Sequence, residues 1–306
     1  MKHLQKHFST SLIALAALLS AAPMAAWAAT APALGTASSF GALGGAGVTC
    51  TSPIPVLPAI TVTGDVGSLL AAPSSVTGFP PDSPPLCSLS GKVQLGATTA
   101  FGDFMKAYAA IDTKNPCPAD AAHNLSGDLG GMTLSPGIYC ISGVGLLSSQ
   151  LTLDGGGNAN AVWIFKAASS ITPIGGSVVM ANSGNACNVY WRAVSAVSLD
   201  ATTFVGNILA GSAITFTGVG SSLAGRALAQ TDVTMTGASI TSCGTTGGGN
   251  GDHDGHDGNH DGHDGNHDGH DGNHDGHDGD KDGHHSDNHN NPFGSNDDHR
   301  GDKGDK

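Results

Sequence analysis

The residues best suited to chemistry crowd the C-terminal end. From His253 the string His-Asp-Gly-His-Asp-Gly-Asn recurs every seven residues, restarting at His260, His267 and His274, with Asp280 closing the last copy. Twelve of the fifteen histidines lie beyond Cys243. Neutral imidazole and carboxylate both ligate zinc, nickel and copper, and a flexible chain can gather several such groups around one ion. His253, His256, His260, His263, His267, His270, His274, His277, His284 and His285 are therefore the candidate ligands for loose, multi-site binding of transition metals. Calcium is a weaker alternative. Asp254, Asp257, Asp261 and Asp264 are spaced by three or four residues, not at the alternate positions of an EF-hand loop. The apolar residue of the nonapeptide calcium repeat is also missing.

Upstream of Cys243 catalytic groups are sparse. Glu is absent from the whole chain, and His123 is the one histidine between residues 29 and 243. There is no H-E-x-x-H, G-x-S-x-G or phosphate-loop string, so an enzyme is not expected. A carbohydrate-active site would have to be assembled from Arg192, Arg226, Asp200 and Asp232. The net charge of −13 falls mostly beyond Cys243. What precedes is close to neutral, which argues against nucleic acid, whose binding rests on Lys and Arg neutralising phosphates.

A second set of polar groups is ordered by a repeat. Gly206-Asn-Ile-Leu-Ala-Gly-Ser-Ala-Ile-Thr-Phe-Thr-Gly218 returns 19 residues later as Gly225-Arg-Ala-Leu-Ala-Gln-Thr-Asp-Val-Thr-Met-Thr-Gly237. Weaker copies lie at Ala196–Ala201 and Ser170–Thr172. A period near 20 with strand-like content marks a solenoid, in which each coil covers the apolar face of the next. Successive residues of a strand face opposite sides. Ile214 and Phe216, Val233 and Met235, and Val197 and Leu199 then point inward, and the hydroxyls point to water. Stacking places Thr172, Ser198, Thr215 and Thr234 in one outer rank, with Thr217 and Thr236 beside it.

The rest of the chain supplies the frame. Lys2, His3 and Lys6, the apolar run Leu12 to Leu19 and Ala26-Trp27-Ala28 read as a secretory signal over residues 1–28, cleaved after Ala28. No later run has about 18 consecutive apolar residues, so no membrane segment is expected. Export places the protein in the periplasm or the medium. There the six cysteines, Cys50, Cys87, Cys117, Cys140, Cys187 and Cys243, are expected as disulfides. Of the fifteen possible pairings, chain order suggests Cys50–Cys87, Cys117–Cys140 and Cys187–Cys243. Val93, Ala97, Phe101, Phe104, Tyr108 and Ile111 recur at helical spacing and predict one amphipathic helix over Lys92 to Asp112. Pro53 to Pro85 reads as a cap or irregular loop. Residues 244–306 hold one large apolar residue, Phe293, and are expected to be disordered. The folded domain is thus expected at 29–243, as a monomer.

Several stretches, in order, resemble the microbial ice-binding protein family. They are Leu34-Gly-Thr-Ala-Ser-Ser-Phe40, Thr63-Gly-Asp-Val-Gly67, Val76-Thr-Gly-Phe-Pro-Pro81 and Leu134-Ser-Pro-Gly-Ile-Tyr139. Leu151-Thr-Leu-Asp154, Ala161-Val-Trp-Ile-Phe165, Asn188-Val-Tyr-Trp191 and Gly225-Arg-Ala-Leu-Ala229 continue the series. The resemblance implies a mainly β fold: a discontinuous right-handed β-helix of triangular section with one long α-helix packed alongside. It also implies antifreeze activity through a flat Thr-rich face, with ice or structured water as the partner. Thr172, Ser198, Thr215, Thr217, Thr234 and Thr236 are the residues expected there. Asp200 and Asp232 put charge at the edge of that face, so weak or moderate activity is expected. The alternative is an extracellular adhesion or metal-scavenging scaffold without strong ice activity.

Overall fold

Short runs of alternating β-branched and small polar residues, closed by glycine turns, wind into a stack of parallel strands. The computed structural model describes residues 28–52, 60–200 and 202–244. It is mainly β, with one α-helix, and its strands form sheets of twelve, seven and three. Two successive coils show the pattern. Gly137–Ile141, Gly145–Leu147 and Gln150–Asp154 contribute one strand to each sheet. Trp163–Ala167, Ile171–Pro173 and Ser177–Ala181 then pair with them in parallel, in the same order.

The longer strands Thr203–Ala210 and Ser222–Ala229 turn a corner midway. Gly206 takes φ +111°, a left-handed backbone open to glycine. A Cβ on Gly225 would lie against the carbonyl oxygen of Gly206. The first matched pair of the 19-residue repeat is therefore glycine for a steric reason.

The coils do not follow chain order. Phe40–Gly44 pairs with Ser222–Ala229 on one side and Asp65–Ser68 on the other, and Gly47–Thr51 pairs with Asp232–Thr236 and Val76–Thr77. The start of the domain thus stacks on its last coil. Val93–Leu95 is an edge strand at one end, and Asn124–Leu125 is an edge strand at the other. Helix α1 (Thr98–Lys114) connects them.

Two layers of apolar contact hold the assembly. Inside the coils, Tyr139, Phe165 and Trp191 occupy one register column and stack, with ring centroids 5.3 and 3.9 Å apart, and Phe204 leans on Trp191 at 4.9 Å. Each fully buried aromatic of this kind contributes on the order of 1.5–3 kcal/mol. Outside the twelve-stranded sheet, Ala100, Phe104, Ala107 and Ile111 of α1 cover Leu43, Leu209, Leu228, Ile164 and Ile138. Polar contacts fix the helix ends. Thr36 donates to Asp103 through its backbone N and its hydroxyl, and Lys166 and Arg192 both meet Asp112. Disulfides join Cys50 to Cys87, Cys117 to Cys140 and Cys187 to Cys243.

The structure corrects two sequence expectations. The helix begins at Thr98, not Lys92: Gly96 takes φ +66°, and Val93 lies instead in a strand paired with Val66. The Pro- and Gly-rich stretch is irregular only in part: over its described length, residues 78–85 run through turns and bends, but the rest contributes strands. Ile60–Val62, Asp65–Ser68 and Val76–Thr77 are coil strands, because other coils supply the pairing that their own sequence does not announce.

Candidate functional site

The outer side of the seven-stranded sheet bears all six hydroxyl residues named from the sequence; a further outer column, Thr203, Ser222, Ser239, Thr61 and Ser88, stands on the twelve-stranded sheet. The strands of the seven-stranded sheet run in the spatial order Gly145–Leu147, Ile171–Pro173, Val197–Leu199, Ile214–Phe216, Asp232–Thr236, Gly47–Thr51, Val76–Thr77. Ile171, Val197, Ile214, Val233, Val48 and Val76 point inward and are buried. One position along, the outer column reads Thr172, Ser198, Thr215, Thr234, Thr49 and Thr77. All six side chains are half-buried by their neighbours. The Thr77 and Thr49 hydroxyls lie 3.4 Å apart.

A second column stands two residues further along each strand. Thr51 pairs with Thr236, and their hydroxyl oxygens are 3.1 Å apart. Thr217 follows Phe216, which pairs with Met235, so it continues the column. Ile174 and Asp200 pair with one another and occupy the same position on the coils beyond. Strand neighbours lie about 4.8 Å apart, and alternate residues of a strand about 6.7 Å apart. Three adjacent strands, Ile214–Phe216 with its following Thr217, Asp232–Thr236 and Gly47–Thr51, therefore carry a two-by-three mesh of threonines: Thr215 and Thr217, Thr234 and Thr236, Thr49 and Thr51. Asp200 bounds it on one margin. Asp232, opposite Gly47 and two residues before Thr234, flanks the first column at the start of the middle strand.

All six hydroxyl residues expected from the sequence lie on this one surface. Thr215, Thr217, Thr234 and Thr236 stand in the mesh. Thr172 and Ser198 extend only the first column, since their second positions are Ile174 and Asp200. Sequence reasoning missed Thr49, Thr51 and Thr77. The signal was present, because Thr49-Cys-Thr51 has the same Thr-x-Thr form as Thr215-Phe-Thr217 and Thr234-Met-Thr236. It lies at the wrong end of the chain for a search by period.

The mesh is braced from inside. Cys50, between Thr49 and Thr51, points into the core and is bonded to Cys87 on the far sheet. Threonine itself is stiff, because two heavy atoms on Cβ restrict χ1.

The residues that a carbohydrate-active site would need are not brought together. Asp200 and Asp232 stand on the seven-stranded sheet, whereas Arg192 and Arg226 belong to the twelve-stranded one. Arg226 is buried and donates to Ser38 O, Asn207 Oδ1 and Cys243 O. His123 contacts Asp120 through Nδ1 at 2.6 Å and stacks on Tyr139. That contact holds the Asp120 carboxyl below its ordinary range.

The ten histidines of the expected metal site, like the expected signal segment over residues 1–27, lie outside the described residues. Among the described residues no group of three or more His, Cys, Asp or Glu could hold a metal ion.

A model of the ice-binding-like family matches residues 42–241. The chain belongs to that family. An ice-binding protein of Nostoc sp. is 36% identical over 203 residues, covering 64% of this chain and 68% of the relative. One from Flavobacterium frigoris is 32% identical over 221 residues, 68% of this chain and 75% of the relative. Among solved structures, an ice-binding protein from the Antarctic ascomycete Antarctomyces psychrotrophicus superposes with a TM-score of 0.59 at 30% identity, over 69% of this chain and 98% of that one. An ice-binding domain from Shewanella frigidimarina gives 0.60 at 25% identity, over 70% and 98%.

Proposed function

We propose that this protein is a secreted antifreeze that binds ice through the threonine mesh of the seven-stranded sheet. The observation that carries this reading is the register. Three adjacent strands each present Thr-x-Thr at the same two outer positions. Such a surface offers hydroxyls and methyls at fixed spacings in two directions, which suits holding water in an ice-like layer. Rigidity matters because any motion lost on binding would weaken it. Parallel pairing on both sides, stiff χ1 angles and the inner disulfide all lower that loss. Membership of the ice-binding-like family supports the same reading.

The finer features of the fold follow from the same resemblance: right-handed winding and a triangular section. Residues 244–306 are proposed as a separate element that binds zinc, nickel or copper through its His-Asp repeats. Calorimetry with zinc on the full chain and on a chain ending at Gly244 tests this, and equal binding by both would sink it.

The test of ice binding is recrystallisation inhibition and crystal shaping at micromolar concentration, compared between the native chain and Thr234→Tyr. Thr234 is at the centre of the first column and projects outward, so a tyrosine there disturbs the surface and spares the core. Activity in the native chain and its loss in a folded Thr234→Tyr are expected. An inactive native chain, or a variant as active as the native one, overturns the reading.

A further inference from the structure

The outer side of the twelve-stranded sheet carries a feature that ice binding does not use. Near the C-terminal end of α1, Cys140, Lys166 and Arg192 stand in one register column. Beside them is an open cavity of about 480 Å³, walled by both cationic side chains, Ser126, Ser142 and the Cys117–Cys140 bridge, with aliphatic groups between. That volume suits a small organic molecule.

The charges around it do not balance. Lys166 Nζ lies 3.2 Å from Asp112 Oδ1, and Arg192 Nη2 lies 2.6 Å from Asp112 Oδ2. Lys166 also donates to the Asn115 carbonyl at 3.0 Å. Two cations thus share a single carboxylate. Their side chains are only 11% and 15% exposed, whereas that of Asp112 is 41% exposed. Arg192 Nε is buried without a hydrogen-bond partner. Tyr108 lies under the guanidinium, 4.7 Å from its carbon, and adds no formal charge. A cation held away from water with donors unsatisfied is costly, and a second anion offsets that cost through charge-assisted hydrogen bonds.

We propose that this cavity binds a small organic carboxylate with an apolar body. Its carboxylate accepts hydrogen bonds from Lys166 and Arg192, and its body lies along the disulfide and the aliphatic wall. The site is independent of the threonine mesh, which is on another sheet.

Benzoate and its uncharged counterpart benzamide are the probes. They are titrated into the full chain at pH 8, where the tail imidazoles are neutral, and followed by calorimetry and by the amide shifts of Ser142, Ala167 and Ala168. Saturable one-to-one binding of benzoate is expected, with benzamide about tenfold weaker for loss of the charged hydrogen bonds. Lys166→Met lowers benzoate affinity by about the same factor. Ser142 is exposed, and Ser142→Trp fills the cavity without touching the ion pairs, so it abolishes binding even if the lysine variant folds poorly. Equal affinity for the two probes, no saturable benzoate binding, or binding that survives Ser142→Trp in a folded protein overturns the proposal.

Discussion

Thr51 and Thr236 are 185 residues apart in the chain, and their hydroxyl oxygens lie 3.1 Å from one another on the outer side of the seven-stranded sheet. The contact exists because the first coil of the domain stacks on its last. The candidate ice surface is therefore composite, built from both ends of the folded chain.

That composite nature has a direct consequence. Thr49→Lys and Thr51→Lys should each reduce recrystallisation inhibition as severely as a substitution at Thr234, although they lie outside the 19-residue repeat. Far-ultraviolet circular dichroism and the melting temperature should stay near native values, since surface changes usually fall within about 0.5 kcal/mol. Retention of full activity in both variants would remove the N-terminal strand from the site.

Asp200 interrupts the second column. Replacing it by threonine extends the mesh to a fourth strand and removes a charge that holds its own hydration. Asp200→Thr should increase activity. The matched change Thr172→Tyr, on the side of Asp200 away from the mesh, should alter activity far less than Thr234→Tyr does. Both are read as the protein concentration that halves the rate of ice-grain growth.

The Cys50–Cys87 bridge encloses a sequence separation of 37 residues. Chain-entropy reasoning gives a loop of that length about 3–4 kcal/mol of stabilisation. Removing both cysteines (Cys50→Ala with Cys87→Ala) should lower stability by about that amount in denaturant titration. It should also weaken ice binding beyond the loss of folded protein, because the strand bearing Thr49 and Thr51 loses its inner anchor.

Acid should loosen the strap between the start of the domain and α1. The backbone N–H of Thr36, then Lys106 and the Thr36 hydroxyl, hydrogen-bond to Asp103 and pull its carboxyl from 3.8 down to about 2. A depressed carboxylate contributes stability that is present above its unfolded value and lost as pH falls through the folded one. The strap should therefore hold above about pH 4 and release between there and pH 2. Asp103→Asn should flatten that part of the stability profile, and the Asp103 side-chain carbon resonance should titrate near pH 2.

How much of this was legible beforehand follows from particular residues. Local alternation put Ile214, Phe216, Val233 and Met235 inside and Thr215, Thr217, Thr234 and Thr236 outside, because side chains of a strand alternate whatever the strand pairs with. The match of Gly206 with Gly225 announced the 19-residue repeat, and only the backbone showed why both are glycine. The apolar spacing of Phe104, Tyr108 and Ile111 announced the helix, although Gly96 moved its start. The strands between Ile60 and Thr77 were invisible: runs of two to four residues carry no pattern of their own, and only pairing with distant coils makes them strands.

The sequence alone thus determined which side chains face water and that a row of hydroxyls exists. Only the tertiary structure decided how wide the row is. Stacking of the first coil on the last brought Thr49 and Thr51 beside Thr234 and Thr236, with Thr77 beyond Thr49. The physical reason is that register between strands far apart in sequence is a property of the whole stack, fixed by where the helix returns the chain and not by any local pattern.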